Sequence, residues 1–190
     1  MGGRLWVHQG EAQGTTYTIK YVALDSVPQQ AIDDELERVD VEMNAWRPES
    51  ALSRFNAFSR TDTVFEVRDV ANVWGLLWDI SSDVHAESKG AFDVAMAPLI
   101  KLWGFRTERR DVVTQAMVDS VHAFARFRTD VVDFNEVLDD DGQKTVGHLS
   151  KGDPRVSLDF NAVAQGYTVD GLAEVLQMEG VAHAMVELGG

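Results

Sequence analysis

The chain has 190 residues, 45% apolar and 25% charged, enough to bury a real core in one globular domain. Its formal charge of -14 and pI near 4.6 argue against nucleic acid as a partner, because phosphate recognition needs clustered Lys and Arg. The absence of cysteine excludes disulfides, thiolate nucleophiles and Cys-ligated metals. No run approaches the roughly 18 apolar residues that cross a bilayer, and residues 1–9 lack the apolar core of a signal peptide, so the chain as written is expected to be soluble. An anionic ligand would need local help from a divalent cation, a helix N-terminus or isolated Arg side chains.

In chain order, residues 15–23 set Tyr17, Ile19 and Tyr21 against Thr16, Thr18 and Lys20, a half-buried strand opened by Gly14. Ser26, Pro28 and Gln29 make a helix start, after which Ile32, Leu36, Val39 and Met43 recur at three-to-four spacing beside a solvated acidic face. A second helix is predicted over 68–87, with Val70, Val73, Trp74, Leu77, Ile80 and Val84 in register and Gly90 as its stop. A shorter helix is predicted over 114–126.

Residues 139–154 read as a polar loop, whose aspartates Asp139, Asp140 and Asp141 do not follow the alternating ligand pattern of a calcium hand. Val156, Leu158 and Phe160 alternate over 155–160 and predict a strand, 161–179 reads as a helix closed by Gly180, and 182–188 as a last strand. Strands alternating irregularly with amphipathic helices, without a phosphate-loop signature, predict an α+β domain rather than a doubly wound parallel sheet. The Gly189-Gly190 pair directly after a strand is an odd place for a domain to finish, and 1–190 is expected to be one domain incomplete at its C-terminus.

Four segments combine glycines, aromatics and single polar residues where elements change. Gly14-Thr15-Thr16-Tyr17 opens a strand, where glycine either lets a ligand near the backbone or simply serves a turn. In residues 44–56, Trp46 beside Arg47 could stack on a flat heterocycle and meet a phosphate, with core packing by Trp46 as the rival reading and Arg54 expected as an ion-pair partner. Gly90-Ala91-Phe92-Asp93 leads into 94–105, offering backbone donors and one carboxylate beside an apolar wall that suits a flavin or adenine ring; Asp93 could equally be a cap. The strand-to-helix junction over 159–167 exposes N–H groups to phosphate oxygens, with Asp159 at its lip placed for a ribose or ring nitrogen. The histidines His8, His85, His122, His148 and His183 have no metal-ligand spacing, and no G-x-S-x-G serine-hydrolase element occurs.

Taken in this order, the segments resemble the motifs of the FAD:protein FMN transferase family, also called ApbE. The resemblance runs from Gly14 to Gly190: the G-T-[TF]-[YW] opening, S-x-L-x-R-F-N at 50–56, G-x-F-D…P-L…L-W-G-F at 90–105, and L-D-[FL]-x-x-x-A-x-G-Y-x-x-D at 158–170. It implies a mainly antiparallel sheet with packed amphipathic helices. It also implies a flavin site at Gln13, Trp46, Ala91, Phe92, Asp93, Asp159 and Gln165, and a backbone carbonyl of Ala162 on Mg2+. The family often has Met where Gln13 stands and Lys or Glu where Gln165 stands; Gln still hydrogen-bonds but carries no charge.

The implied reaction is Mg2+-dependent transfer of FMN from FAD to a threonine hydroxyl of an acceptor flavoprotein, with release of AMP. The family continues beyond the Gly-Gly pair into a segment that supplies the other magnesium ligands. The alternatives are therefore a non-catalytic FAD-binding module and a FAD pyrophosphatase. Kinship implies the periplasmic side of the bacterial inner membrane, with membrane attachment only through a lipid anchor that this sequence lacks.

Overall fold

In the computed structural model, which describes residues 3–68, 73–105, 112–138, 142 and 144–189, two residues turn the first hairpin. Strands β1 (Arg4–Ala12) and β2 (Thr15–Ala23) pair antiparallel from Arg4↔Ala23 to Ala12↔Thr15. Gln13 and Gly14 between them have φ of 52° and 76°, the doubly positive combination of a type I′ turn, which matches strand twist. The turn explains Gly14 without a ligand. The 15–23 strand stands as predicted, whereas β1 escaped because its inward positions are Trp6, His8, Gly10 and Ala12, with one large apolar side chain among them. Gly10 is required there, since a Cβ would stand 2.7 Å from the Tyr17 ring.

Helix α1 (Gln29–Met43) follows, then α2 (Ala51–Ala57), the short strand β3 (Phe65–Val67) and α3 (Val73–Glu87). The helix predicted over 68–87 is present as α3, and residues 69–72 with Val70 lie outside the described residues. Its inward face runs through Val73, Trp74, Leu77 and Ser81, while Ile80 and Val84, expected in that register, are 37% and 38% exposed. A single 3-10 turn (Val94–Met96) leads into α4 (Ala97–Leu102), and α5 (Gln115–His122) begins at Thr114, whose hydroxyl accepts the Met117 N–H. Strands β4 (Val132–Leu138) and β5 (Lys144–Lys151), helix α6 (Asn161–Met178) and strand β6 (Ala184–Leu188) complete the described chain.

The strands form two antiparallel three-stranded sheets in the orders β1-β2-β6 and β3-β5-β4, an α+β arrangement. One core gathers Tyr17, Ile19 and Tyr21 of β2 with Ile32, Leu36, Leu172 and Leu176. The other packs Val39 and Met43 with Leu52, Phe55, Trp74, Leu77, Leu149 and Ala164. Helices α1 and α6 therefore contribute to both cores, the N-terminal half of α1 and the C-terminal half of α6 to the first, and their opposite halves to the second.

Two sequence expectations fail here. Residues 139–154 are not simply a polar loop: β5 runs through them, and Asp139, Asp140 and Asp141 lie outside the described residues. The inward positions of β5 are Gly147, Leu149 and Lys151, so the apolar alternation that marks a strand is hidden. Gly147 is dictated by packing, since a Cβ would overlap the Phe134 ring. Residues 155–160 join neither sheet: Arg155 lies in a turn, and Phe160, at φ -96° and ψ 7°, already leads into α6. Val156, Leu158 and Phe160 are each fully buried, which produces the alternation, while the backbone bonds elsewhere. The Asn56 carboxamide takes the place of a neighbouring strand, its Oδ1 accepting the Leu158 N–H at 2.7 Å and its Nδ2 donating to the Leu158 carbonyl at 2.9 Å; the Asp159 N–H donates to the Val94 carbonyl at 2.8 Å.

Lys151 is 2% exposed, with its ammonium donating to the Asn56 carbonyl at 3.3 Å and lying 4.6 Å from the centre of the Phe55 ring. Burial pushes its pKa down from 10.5 to about 8. Between those values the unfolded chain holds a proton that the folded chain has released, so Lys151 makes stability rise with pH across that window; below it, folding carries the full cost of burying the charge. Replacing Lys151→Met should raise stability near neutral pH by of order 1–3 kcal/mol and flatten this slope, a result read from urea unfolding midpoints on either side of the window.

Candidate functional site

Three segments converge at the start of α6. The first leaves α1 through a tight turn: the Asn44 carboxamide oxygen accepts the Trp46 N–H at 2.8 Å, and the Ser50 hydroxyl donates to the Asn44 carbonyl at 2.7 Å while accepting the Ser53 N–H that starts α2. This turn points Trp46 outward, 60% exposed, so the core-packing reading of Trp46 is overturned. Arg47 is committed elsewhere, with Nη1 donating to both Glu37 carboxylate oxygens at 2.8 Å and lying 3.7 Å from Asp40. Arg54, expected in an ion pair, has its guanidinium 5.5 Å from the centre of the Phe65 ring as its contact among the described residues.

The second segment is the loop after α3. Asp93 does what the capping alternative required, its Oδ1 accepting the Ala95 N–H at 2.8 Å and its Oδ2 accepting the Phe127 N–H at 3.0 Å. The third is the unsheeted run into α6, where Asp159, 8% exposed, accepts the Asn161 N–H at 2.9 Å.

These segments line an open cavity of about 470 Å³, within the range of small-molecule sites. Trp46, Phe92, Met96, Ile100 and Phe105 form its apolar wall, and Asp93, Asp159, Asn161 and Ala162 its polar side. Five of the residues expected from sequence therefore meet at one cavity: Trp46, Phe92, Asp93, Asp159 and Ala162. Gln13 borders a neighbouring void of about 20 Å³ that shares Trp46 and Asn161 with the large one. Its Nε2 donates to the Thr168 hydroxyl at 2.6 Å, which in turn donates to the Ala164 carbonyl at 2.9 Å. Ala91 is exposed and outside the described lining; Gln165, half-buried, is outside it too, its carboxamide lying where a methyl on Gly189 would come within 3.2 Å of it.

Sequence reasoning did not assign Met96, Ile100, Phe105 and Asn161 as site residues. Met96 and Ile100 are four apart on the run into α4, so their shared face was the available signal. The described lining holds two carboxylates and no Lys or Arg. Among the described residues no group of three His, Asp or Glu side chains is placed to hold a metal ion, so the Ala162 carbonyl does not make a magnesium site on its own.

An α+β domain of two small antiparallel sheets, sharing two helices and holding an aromatic-walled cavity at a helix start, is the class of protein that this geometry defines. The ApbE family profile matches residues 13–190, and the chain belongs to that family. It is 32% identical to a FAD:protein FMN transferase of Vibrio cholerae, over 95% of this chain and 52% of that protein, and 30% identical to one of Haemophilus influenzae, over 95% and 51%. Thus the chain spans about half the length of the curated relatives it matches. Among solved structures, the flavin transferase ApbE of Vibrio cholerae superposes with a TM-score of 0.81 at 30% identity, covering 99% of this chain and 58% of that one. The apo flavinyl transferase ApbE of Pseudomonas stutzeri gives 0.76 at 27% identity, covering 98% and 57%.

The Asn56 side chain carries the buried backbone that leads to Asp159. Asn56→Ala leaves the Leu158 N–H and carbonyl without these partners and should lower stability by about 2–3 kcal/mol, measured by urea unfolding.

Proposed function

We propose that this chain carries the flavin-nucleotide-binding part of a FAD:protein FMN transferase. The observation that carries the reading is the meeting of Trp46, Phe92, Asp93, Asp159 and Ala162, drawn from three separate segments, around one cavity with an aromatic wall. A flat heterocycle stacks on the exposed Trp46 and packs against Phe92, while Asp159 and the start of α6 face the ribose and phosphates. Because α1 and α6 serve both cores, residues 1–190 are read as belonging to one domain.

In the full reaction that this reading implies, a threonine hydroxyl of an acceptor flavoprotein attacks the FMN-side phosphorus of FAD. The bond to the bridging oxygen breaks, AMP leaves and the hydroxyl proton is given up to a base. Mg2+ belongs to the same reading and would neutralise the pyrophosphate when bound; the described residues offer it the Ala162 carbonyl without a cluster of acidic ligands. The periplasmic location is likewise part of the reading by kinship. No helix among the described residues is long and apolar enough to cross a membrane.

FAD fluorescence quenching tests the binding step. The chain should quench FAD fluorescence saturably, and Trp46→Ala should weaken binding about tenfold with little change in unfolding midpoint, since the removed side chain stands largely in solvent. Asp159→Ala should also weaken binding. Unchanged affinity in both variants would remove the site assignment. Separately, product analysis with an acceptor flavoprotein distinguishes transfer, which labels the acceptor, from hydrolysis, which leaves free FMN and AMP.

A further inference from the structure

Beyond the cavity lining, the end of α3 and the loop that follows form a closed hydrogen-bond ring. The chain reverses through Lys89 and Gly90, with φ of 55° and 83°, and brings Phe92 back over the helix end. His85 Nδ1 is 2.6 Å from the Phe92 carbonyl oxygen. A carbonyl can only accept, so Nδ1 carries the proton and donates, which settles the tautomer of a neutral ring with Nε2 unprotonated. The Phe92 N–H donates to the Ser88 hydroxyl at 3.0 Å, and that hydroxyl donates to the His85 carbonyl at 3.2 Å. Both backbone groups of Phe92 are thus held by side chains of the helix C-terminus.

The His85 ring also packs edge-on against Phe127, centroids 5.5 Å apart, and the Phe127 N–H is one of the two amides held by the Asp93 carboxylate. One imidazole therefore braces two consecutive lining residues: Phe92 directly through its carbonyl, and Asp93 through the residue that its carboxylate grips. His85 itself is not among the described lining of the 470 Å³ cavity.

We propose that His85 is a positioning residue for the flavin cavity, acting through the Phe92 carbonyl to hold Phe92 and Asp93 in the geometry that receives the ring. The inference rests on the flavin-binding reading above. The donor matters more than the ring's bulk, because an amide carbonyl released from this side-chain donor can rotate its peptide and carry the Phe92 side chain with it.

Two variants separate donor from bulk. His85→Leu keeps volume and removes the N–H, whereas His85→Asn places an amide N–H close to where Nδ1 stood and removes the ring. FAD affinity by fluorescence quenching should fall about five- to tenfold in His85→Leu and return to within about twofold of the parent in His85→Asn. Hydrogen exchange, read without FAD, should show the Phe92 and Phe127 amides losing about tenfold protection in His85→Leu and regaining it in His85→Asn, with the amides in the middle of α6 unaffected.

Affinity and exchange both unchanged in His85→Leu would overturn the proposal while Trp46→Ala still tests the flavin site. Equal losses in both variants would overturn it too, assigning the effect to ring packing on Phe127. Failure of the parent chain to bind FAD would instead take down the flavin reading, and this role for His85 with it, even where the exchange results hold.

Discussion

Gly171 lets α1 and α6 come so close that the Glu35 carboxylate occupies the space where a side chain would stand, and any Cβ there would overlap Glu35 Oε1. A carboxylate 9% exposed needs a partner, and Arg38 supplies it from the next turn at 2.6 Å. The same guanidinium donates to the Tyr167 hydroxyl at 2.8 Å and so crosses from α1 to α6. Donation to the Glu35 carboxylate holds the Arg38 pKa above its ordinary range. On α1 this polar crossing falls between Ile32 and Leu36 of one core and Val39 and Met43 of the other. Sliding the helices by one turn would bury Glu35 against a side chain and separate Arg38 from Tyr167, so the crossing pins their register.

Site geometry follows from that register. The last turn of α1 delivers the Asn44 turn and Trp46, and the first turn of α6 delivers Asn161 and Ala162. Trp46 and Asn161 border both voids because the two helix ends are held level. Gln13 reaches the smaller void from the β1–β2 turn and is fastened by Thr168, a fully buried hydroxyl on the same α6. Each lining segment is thus attached to one of the two shared helices or bonded to a neighbour that is.

What was legible in the sequence were the elements whose inward faces are apolar at a clean period. Tyr17, Ile19 and Tyr21 marked β2, and Ile32, Leu36, Val39 and Met43 marked α1, because burial there is achieved by side chains of one kind. The sheet β3-β5-β4 was illegible for the converse reason: its central strand turns a glycine, a leucine and a lysine inward, and the glycine is demanded by a ring from the neighbouring strand. The strand predicted over 155–160 erred in the other direction, since alternation reports which side chains are buried and not what the backbone is bonded to. Of the site, Trp46, Phe92, Asp93, Asp159 and Ala162 were reachable through the family motifs. Met96 and Ile100 were not singled out, because one exposed face of a short helix carries no chemistry of its own.

That unsheeted run is also what makes the cavity possible. Had residues 156–160 joined a sheet, the neighbouring strand would have covered the flank where Asp159 now stands, and a ladder would have claimed the Asp159 N–H. A single carboxamide from Asn56 satisfies Leu158 instead, the Val94 carbonyl takes the Asp159 N–H, and the chain is free to turn into α6 at the cavity lip. The same economy governs charge. In a chain of net charge -14, two carboxylates at one cavity would repel an anionic nucleotide. Here Asp93 accepts the Ala95 and Phe127 amides and Asp159 accepts the Asn161 amide, so part of each negative charge is already met by N–H dipoles. The wall opposite these carboxylates is apolar, formed by Trp46, Phe92 and Phe105.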